Sequence, residues 1–395
     1  MPNRDTEYTL IESPLALDEF YASHRNLSWI AFDTEFVGEK RYVTSLCLIQ
    51  VLSEKGVFLI DPLRLKHIDP LLELIADPKI TKITHAGDND YRLLNANYGI
   101  LPRNVFDTQI AAAFLGYKYP VSFRKLVEGE LKKYLKKGYA VADWESRPLQ
   151  KKHISYAIDD VTPLPGLWKS LTGKLEANNR LHWAQAEFAQ LETAHFYEKD
   201  PHSEAINSNL MRSLNAKEQV FLLRLFEWRR QVAEGRNHSK EMVLPSKYIS
   251  HIVRGIPSGP EALRHNRRIP DKIVDRFGKT FADLFSREIS EEEQLLLGRI
   301  PSEEEEDPKE EIIVEMLYQV IKYKCLEQDI SVNIVLPRNA IKKIRAKEDD
   351  ALELLDDGWR KEFLGAYFLE WLASATELEM DLHPDRIILL PKVGQ

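Results

Sequence analysis

The segment Trp29–Val37, which reads WIAFDTEFV, decides the fold prediction because it places two acidic residues inside an apolar run. Strand-forming residues fill it, and the two-residue period of a strand directs Asp33 and Glu35 to one face. Acidic pairs on solvated surfaces are common by chance in a chain with 62 acidic residues. The apolar flanks nevertheless favour a covered strand, where an unpaired carboxylate is costly unless a cation binds it. A divalent metal ion is one such cation.

Length and composition limit the class of protein. A chain of 395 residues predicts two or three domains, and 44% hydrophobic with 29% charged residues is typical of a soluble globular protein. No apolar run approaches the ~18 residues of a membrane span, and the first ten residues, MPNRDTEYTL, do not resemble a signal peptide. The two cysteines, Cys47 and Cys325, are too few and too distant for a disulfide framework. We expect a cytoplasmic protein.

The net charge of −8 hides an uneven distribution. Residues 204–290 contain 16 basic and 10 acidic side chains, whereas residues 291–395 contain 13 basic and 25 acidic ones. A chance excess on a solvated face would explain the basic segment, but it is also the charge pattern of a nucleic-acid contact.

Three regions follow one another along the chain. Residues 1–200 mix β-like runs with helical periods, which predicts an α/β domain with a mixed sheet and flanking helices. A polar stretch near residues 197–208 predicts a linker, and residues 204–290 read as short helices separated by Pro and Gly. Residues 312–395 open and close with helical periods, which predicts a third, all-helical domain.

A metal site at Asp33 and Glu35 needs further carboxylates at the ends of neighbouring elements. Asp90 begins a predicted helix just after the strand-like run KITHAG, so its side chain can face the sheet edge. A simple helix N-cap is an equally good interpretation of Asp90, and Asp88 competes for both roles.

A second candidate is the helical segment at residues 156–160, YAIDD. Tyr156 and Asp160 are four residues apart and share a helix face, so a phenol and a carboxylate can converge there. Such a tyrosine can orient an attacking water, although the period alone favours a core aromatic residue. Asp159 lies close to the same face, and spacing does not exclude it.

Three motifs together resemble a known family. They are D-T-E-F at 33–36, H-x₄-D at 85–90 and Y-x₃-D at 156–160, and DWESRPL at 143–149 precedes the third. In this order they resemble the tyrosine-bearing branch of the DEDD exonucleases (DEDDy), and most closely the ribonuclease D family. Residues 204–290 resemble an HRDC domain, and residues 312–395 end like a second, divergent HRDC-like domain.

This resemblance implies a fold and a chemistry. The expected architecture is a ribonuclease H-like α/β exonuclease domain followed by all-α HRDC-like domains. The expected activity is 3′→5′ trimming of RNA, with release of nucleoside 5′-monophosphates. The family motif selects Asp160 over Asp159, and the implied catalytic set is Asp33, Glu35, Asp90, Tyr156 and Asp160. The four carboxylates would bind two divalent ions, Mg²⁺ or Mn²⁺, and Tyr156 would position the attacking water.

Substrate contacts are predicted less directly. Phe36 is a candidate stacking residue, His85 a candidate backbone contact and Lys137 a candidate phosphate contact. A core phenylalanine, a structural histidine and a solvated lysine are the plain alternatives. Four arginines of the basic segment are candidates for phosphate contacts, namely Arg229, Arg230, Arg267 and Arg268.

Two other functions remain open at this stage. Metal ions at such a site would contact the phosphate, which RNA and DNA share, and not the sugar, in which they differ. A DNA 3′→5′ exonuclease is therefore the alternative enzyme. A non-catalytic nucleic-acid-binding protein on an exonuclease scaffold is less favoured, because a scaffold has no need of four converging carboxylates. The expected partner is a single-stranded RNA 3′ end, such as that of a tRNA precursor, with no membrane and no obligate protein partner.

Overall fold

A computed structural model of the chain describes residues 7–135, 143–300, 308–345, 358–365, 368–369, 372, 378–382 and 387–391. The chain divides into two compact units. The first comprises Met1–Glu35, Cys47–Phe196 and Asp307–Gln395, and the second comprises Phe36–Leu46 and Tyr197–Glu306. The division does not follow the three predicted domains, whose boundaries stay a prediction.

A six-stranded mixed sheet forms the centre of the first unit. Its strands, in chain order, are β1 (Tyr8–Ile11), β2 (Trp29–Val37), β3 (Ser45–Ser53), β4 (Gly56–Ile60), β5 (Thr81–Thr84) and β6 (Val105–Asp107). Their spatial order is β1-β4-β3-β2-β5-β6. β3 and β4 pair antiparallel, whereas β1–β4, β2–β5 and β5–β6 pair parallel. The predicted mixed sheet is confirmed.

Strand β2 lies inside this sheet, between β3 and β5. Ile30, Ala31 and Phe32 are at most 1% exposed, as the apolar flanks of the acidic pair predict. Ala31 is the register partner of Ile83 in β5. The position explains why two carboxylates on this strand need compensation, since they project from the covered centre of the sheet.

Helices cover the sheet and connect its strands. They are α1 (Pro14–His24), α2 (Asp69–Ala76), α3 (Asp88–Tyr98), α4 (Thr108–Ala113), α5 (Phe123–Leu131), α6 (Lys151–Val161), α7 (Leu164–Ala177), α8 (Leu181–Gln190) and α9 (Ala194–Tyr197). The end of α6 and the start of α7 pack on β2 and β5 through a buried cluster of Ala31, Ile83, Val161 and Leu164. This cluster fixes α6 against β2, so the carboxyl groups of both elements can meet.

The first strand and helix were absent from the prediction. β1 is only four residues long and pairs with β4, so the pairing depends on residues about 50 positions later in the chain. The start of α1 has a clearer local signal, because Ser13 caps it with a 3.3 Å bond to the Ala16 N–H and Pro14 occupies its first position.

The C-terminal segment packs within the first unit. It contains α17 (Pro308–Glu327), α18 (Val332–Val335), α19 (Arg338–Arg345) and α20 (Trp359–Leu364). Ser331 is one attachment point, since its N–H donates to the Ala113 carbonyl at 2.8 Å. Another is Arg360, which donates to Glu187 at 2.7 Å. The segment ends in an antiparallel hairpin of β7 (Leu378–Leu382) and β8 (Ile387–Pro391), which corrects the prediction that it is all helical.

The second unit is helical. Its elements are α10 (Ser203–Ile206), α11 (Ala216–Arg236), α12 (Lys240–Val243), α13 (Ile249–Gly255), α14 (Pro260–His265), α15 (Asp271–Ser286) and α16 (Glu291–Leu297). A capping box of Asn215 and Glu218 opens α11, which is the longest helix of the unit. Across the described ranges of the whole chain, no helix is both long and apolar enough to cross a lipid bilayer.

Candidate active site

Three carboxylates converge beside β2. Asp33 and Glu35 project from the same face of the strand, and Asp160 reaches them from the last turn of α6. One carboxylate oxygen from each lies within 4.8 Å of those of the other two. The predicted same-face pair therefore exists, and of the two neighbouring aspartates Asp160 is the one in the cluster.

Asp90 lies next to this cluster. It is the third residue of α3, whose N-cap is Gly87, so the N-cap interpretation of Asp90 is wrong. The Asp90 carboxylate is 6% exposed and accepts a hydrogen bond from the Thr34 hydroxyl of β2. Asp88 is only half-buried. Gly87 permits the close approach of α3 to β5, because a Cβ there would lie 2.5 Å from Thr84 Oγ1.

Burial and mutual repulsion disfavour negative charge at the cluster. Burial, with the charge of Asp160, raises the pKa of Asp33 to about 8. Burial and Asp33 raise the pKa of Glu35 to about 9, and burial raises the pKa of Asp160 to about 7. Burial, with the charge of Asp33, also raises the pKa of Asp90 well above its usual value. Added positive charge would therefore stabilise the ionised form of the cluster.

The donor set fits a hard divalent cation. Asp160 Oδ2 is buried and has no hydrogen-bond partner. In the described part of the chain, no basic side chain forms an ion pair with any of the four carboxylates. Carboxylate oxygens are the ligands that Mg²⁺ and Mn²⁺ prefer, and a cation would satisfy the unpartnered oxygen.

Tyr156 lies one helical turn before Asp160 on α6, and its ring is half-buried beside the carboxylate cluster. It is not part of the closed core. Burial, followed by the charge of Asp160, raises the pKa of Tyr156, so the phenol keeps its proton at neutral pH. The core-aromatic alternative is therefore not favoured.

His85 uses both ring nitrogens within the protein. Nδ1 lies 3.0 Å from the Thr108 hydroxyl, and Nε2 donates to the Val121 carbonyl at 3.1 Å. Burial lowers the pKa of the ring. Neither nitrogen is free to contact a substrate, which favours the structural interpretation of His85.

Phe36 and Lys137 are the other two predicted substrate contacts in the exonuclease region, and the structure describes only the first of them. Phe36 directly follows Glu35 and is 43% exposed, so the core-phenylalanine alternative is wrong and its ring is accessible for stacking. Lys137 lies outside the described residues.

Two of the four predicted phosphate contacts in the helical unit need correction. Arg229 is 1% exposed and donates to Glu241 at 2.6 Å and to the Ser246 hydroxyl at 3.0 Å, so its predicted contact with RNA is wrong. It lies on the buried face of α11, where its charge needs protein partners. Arg230 is paired with Glu227 at 2.7 Å and Glu234 at 3.5 Å, so it is a weak candidate.

Arg267 and Arg268 lie between α14 and α15, and both are exposed. Neither guanidinium forms an ion pair with another described residue. These two arginines therefore remain available for phosphate, and their role stays a prediction.

Several residues that shape the site had no predicted role. Thr34 holds Asp90, and Gln50 Nε2 lies 3.5 Å from Glu35 Oε1 although Gln50 is fully buried. Trp144 lies behind Tyr156, with ring centroids 6.1 Å apart. The role of Gln50 could have been suspected from the sequence, because it is a polar residue in the middle of the apolar run SLCLIQVLS.

Comparison with known proteins agrees with this geometry. The family described as 3′-5′ exonuclease matches residues 8–176, and the HRDC domain family matches residues 218–284. The first match includes all five predicted catalytic residues.

Curated relatives cover nearly the whole chain. Ribonuclease D of Bartonella henselae is 28% identical over 90% of this chain and 88% of its own length. Ribonuclease D of Desulfotalea psychrophila is 29% identical over 87% of this chain and 92% of its own length.

Solved structures give the same result. Escherichia coli RNase D, described as an exoribonuclease involved in structured RNA processing, superposes with a TM-score of 0.79 and 26% identity, over 93% of this chain and 99% of its own. The catalytic core of Trypanosoma brucei RRP6 shares the fold, with a TM-score of 0.58 and 23% identity over 71% of this chain and 79% of its own. Over nearly its whole length, the chain is therefore similar to ribonuclease D in both sequence and fold.

Proposed function

We propose that Asp33, Glu35, Asp90 and Asp160 bind two divalent cations, Mg²⁺ or Mn²⁺, and that the chain hydrolyses RNA stepwise from its 3′ end. The observation that carries this proposal is the convergence of three carboxylates, one of which, Asp160, keeps a buried oxygen without a hydrogen-bond partner. Their pKa values are raised, and no basic side chain among the described residues pairs with them. Ion-pair networks also perturb pKa values, but here the perturbing charges are all of one sign.

The reaction is a substitution by water at phosphorus. The oxygen of water bonds to phosphorus, the bond from phosphorus to the 3′-oxygen breaks, and that oxygen gains a proton. The released nucleotide therefore carries a 5′-phosphate, and the shortened RNA ends in a 3′-hydroxyl. Bound divalent cations supply the lowered pKa of the attacking water and stabilise negative charge on the leaving oxygen.

The protein contributes position. Asp33 and Glu35 lie on one rigid strand, and Asp160 is fixed to it by the packing of α6, so these ligands need little rearrangement. Tyr156 keeps its proton and lies one helical turn from Asp160, where its hydroxyl can hold the attacking water in line.

The proposed substrate is the single-stranded 3′ end of a structured RNA, the class that the E. coli relative processes. Phe36, exposed beside Glu35, would stack on a terminal base. A tRNA precursor is one such RNA, and cytoplasmic residence would give access to it. No obligate protein partner is part of the proposal.

The direct test incubates the full chain with a 5′-labelled single-stranded RNA that has a free 3′-hydroxyl. Parallel reactions contain Mg²⁺, Mn²⁺ or a chelator, and matched reactions contain DNA of the same sequence. We expect a metal-dependent ladder that shortens from the 3′ end of RNA. Equal shortening of DNA would favour the DNA exonuclease, and binding without hydrolysis under either metal would overturn the catalytic proposal.

Metal binding also predicts a pH-dependent stability. Because the folded-state pKa values of Asp33, Glu35 and Asp160 are raised to about 8, 9 and 7, their contribution to stability is present at low pH and lost as pH rises through that range. With chelator, the Tm should therefore fall from pH about 4, where these carboxyls ionise in the unfolded chain, to pH about 9. The increase in Tm caused by Mn²⁺ should grow over the same interval, and an increase independent of pH would contradict the assignment.

If Arg267 and Arg268 bind phosphate, their loss should change how RNA affinity depends on salt concentration. Arg267→Ala with Arg268→Ala should weaken RNA binding and reduce the slope of log affinity against log salt by about 1.4, or ~0.7 for each lost phosphate contact to a single strand. Fluorescence anisotropy with a 3′-blocked RNA measures both quantities. Arg230→Ala is the matched control, because that arginine is already paired with Glu227. An equal slope change in the control would contradict the proposed contact.

A further inference from the structure

Arg147 joins the loop before α6 to the central sheet. Its guanidinium forms a two-pronged ion pair with Asp61, from Nε to Oδ2 at 2.5 Å and from Nη2 to Oδ1 at 2.9 Å. Nη2 also donates to the Cys47 carbonyl of β3 at 2.7 Å. Asp61 directly follows β4 and its side chain is 1% exposed. One end of this arginine is therefore fixed to two strands.

The remaining nitrogen of the same guanidinium holds the loop. Nη1 donates to the Trp144 carbonyl at 2.7 Å and to the Ser146 carbonyl at 3.0 Å. All five N–H donors of the arginine thus have acceptors, which is the full capacity of the group. The arrangement fixes the backbone of the loop at Trp144.

Trp144 in turn lies against the residues of α6. Its side chain is 3% exposed, and its ring centroid is 5.2 Å from that of His153 and 6.1 Å from that of Tyr156. The indole therefore packs beside the Tyr156 ring and limits its rotation, and Tyr156 itself lies one helical turn before Asp160.

We propose that Arg147 and Trp144 are positioning residues for catalysis: Arg147 fixes Trp144 to the sheet, and Trp144 holds the Tyr156 ring at the angle that directs its hydroxyl to the attacking water. The inference rests on the proposed role of Tyr156. It assigns a function in turnover to an ion pair and an indole that touch neither substrate nor metal.

Stability alone does not account for this arrangement. A buried ion pair contributes little compared with well-packed apolar residues of similar volume, because both charges lose their hydration. An arginine that also binds three backbone carbonyls of two separate segments does more than neutralise Asp61, since it sets their relative position. Catalytic groups need such support, because a misplacement of about 1 Å can reduce a rate 100-fold.

The test is a double-mutant cycle between Trp144 and Tyr156. Trp144→Leu should lower kcat about 10-fold or more with little change in KM or in the metal concentration for half activity. In a Tyr156→Phe background, the same substitution should cause no further loss, because the hydroxyl that it misplaces is gone. Phe188→Leu is the control, since Phe188 is also 3% exposed but packs on Phe106. It should reduce Tm and leave kcat unchanged.

Arg147 is tested by Arg147→Lys, which keeps the positive charge beside Asp61 but cannot reproduce the fork geometry. We expect a loss in kcat that is again absent in the Tyr156→Phe background. Equal losses in both backgrounds would show a merely structural role and overturn the inference, while leaving the proposed function intact. If Tyr156→Phe itself has no effect on kcat, the proposed role of the tyrosine fails, and the inference fails with it.

Discussion

Asp33→Asn should reduce RNA hydrolysis more than about 100-fold at saturating Mg²⁺, because loss of groups that merely support metal ligands already costs 10–100-fold. The substitution removes one charged oxygen from the cluster of Asp33, Glu35 and Asp160 and keeps the shape of the side chain. Hydrolysis of a 5′-labelled RNA measures the rate, and 3′-blocked RNA measures binding, which should be retained.

The folded state should not suffer from the same change. Without metal, the negative charge of Asp33 is disfavoured by burial and by Asp160, so a neutral amide removes repulsion. We expect the Tm in chelator at pH about 8 to be equal to or above that of the unmodified chain. Asp159→Asn is the matched control, one residue from Asp160 and outside the cluster, and it should keep its activity. Full activity of Asp33→Asn would contradict the site.

The acidic pair on β2 was predictable because its signal is local. Side chains two positions apart in a strand project from the same face, so the spacing of Asp33 and Glu35 is enough to place them together. The apolar neighbours of the pair indicate that the strand is buried. Asp160 was not predictable in the same way, since adjacent helical residues differ by only about 100° in direction. Either Asp159 or Asp160 can face the strand until the packing of Val161 and Leu164 on Ala31 sets the rotation of α6.

Charge counting failed at Arg229 for a related reason. The excess of basic residues in the helical unit is real, but composition does not tell which arginines are consumed inside the fold. Arg229 has partners on both sides of α11 in the chain: Glu204 precedes the helix, and Glu241 and Ser246 follow it. Arg267 and Arg268 lie outside any helix and remain exposed. Whether an arginine of this unit is buried in an ion pair or exposed to a ligand therefore depends on its position in the fold.

The C-terminal hairpin was missed because two signals conflict. The segment opens with the helical period of α17 and contains α20, but it closes with the apolar run Ile387–Pro391, which begins with two β-branched isoleucines. A two-stranded hairpin alone is marginal, so its formation depends on tertiary context that the local pattern does not contain. Edge strand β1 has the same dependence on a distant partner.

Tyr156→Phe should lower kcat about 100-fold, within the range that positioned proton-handling groups contribute. The substitution removes only the hydroxyl and leaves the ring in place against Trp144. KM for RNA and the concentration of Mn²⁺ for half activity should change little, because the carboxylates of the cluster are intact. Initial rates over a series of RNA and metal concentrations separate these quantities.

The contrast between the two substitutions identifies the role of each group. Asp33→Asn should remove the metal-induced increase in Tm, whereas Tyr156→Phe should preserve it, since a phenol that keeps its proton is not a ligand for a hard cation. Loss of the increase in Tyr156→Phe would place the tyrosine in metal binding. An unchanged kcat would remove it from the mechanism. A selective loss of kcat is the result expected if four carboxylates provide the charge and one hydroxyl provides the direction of attack.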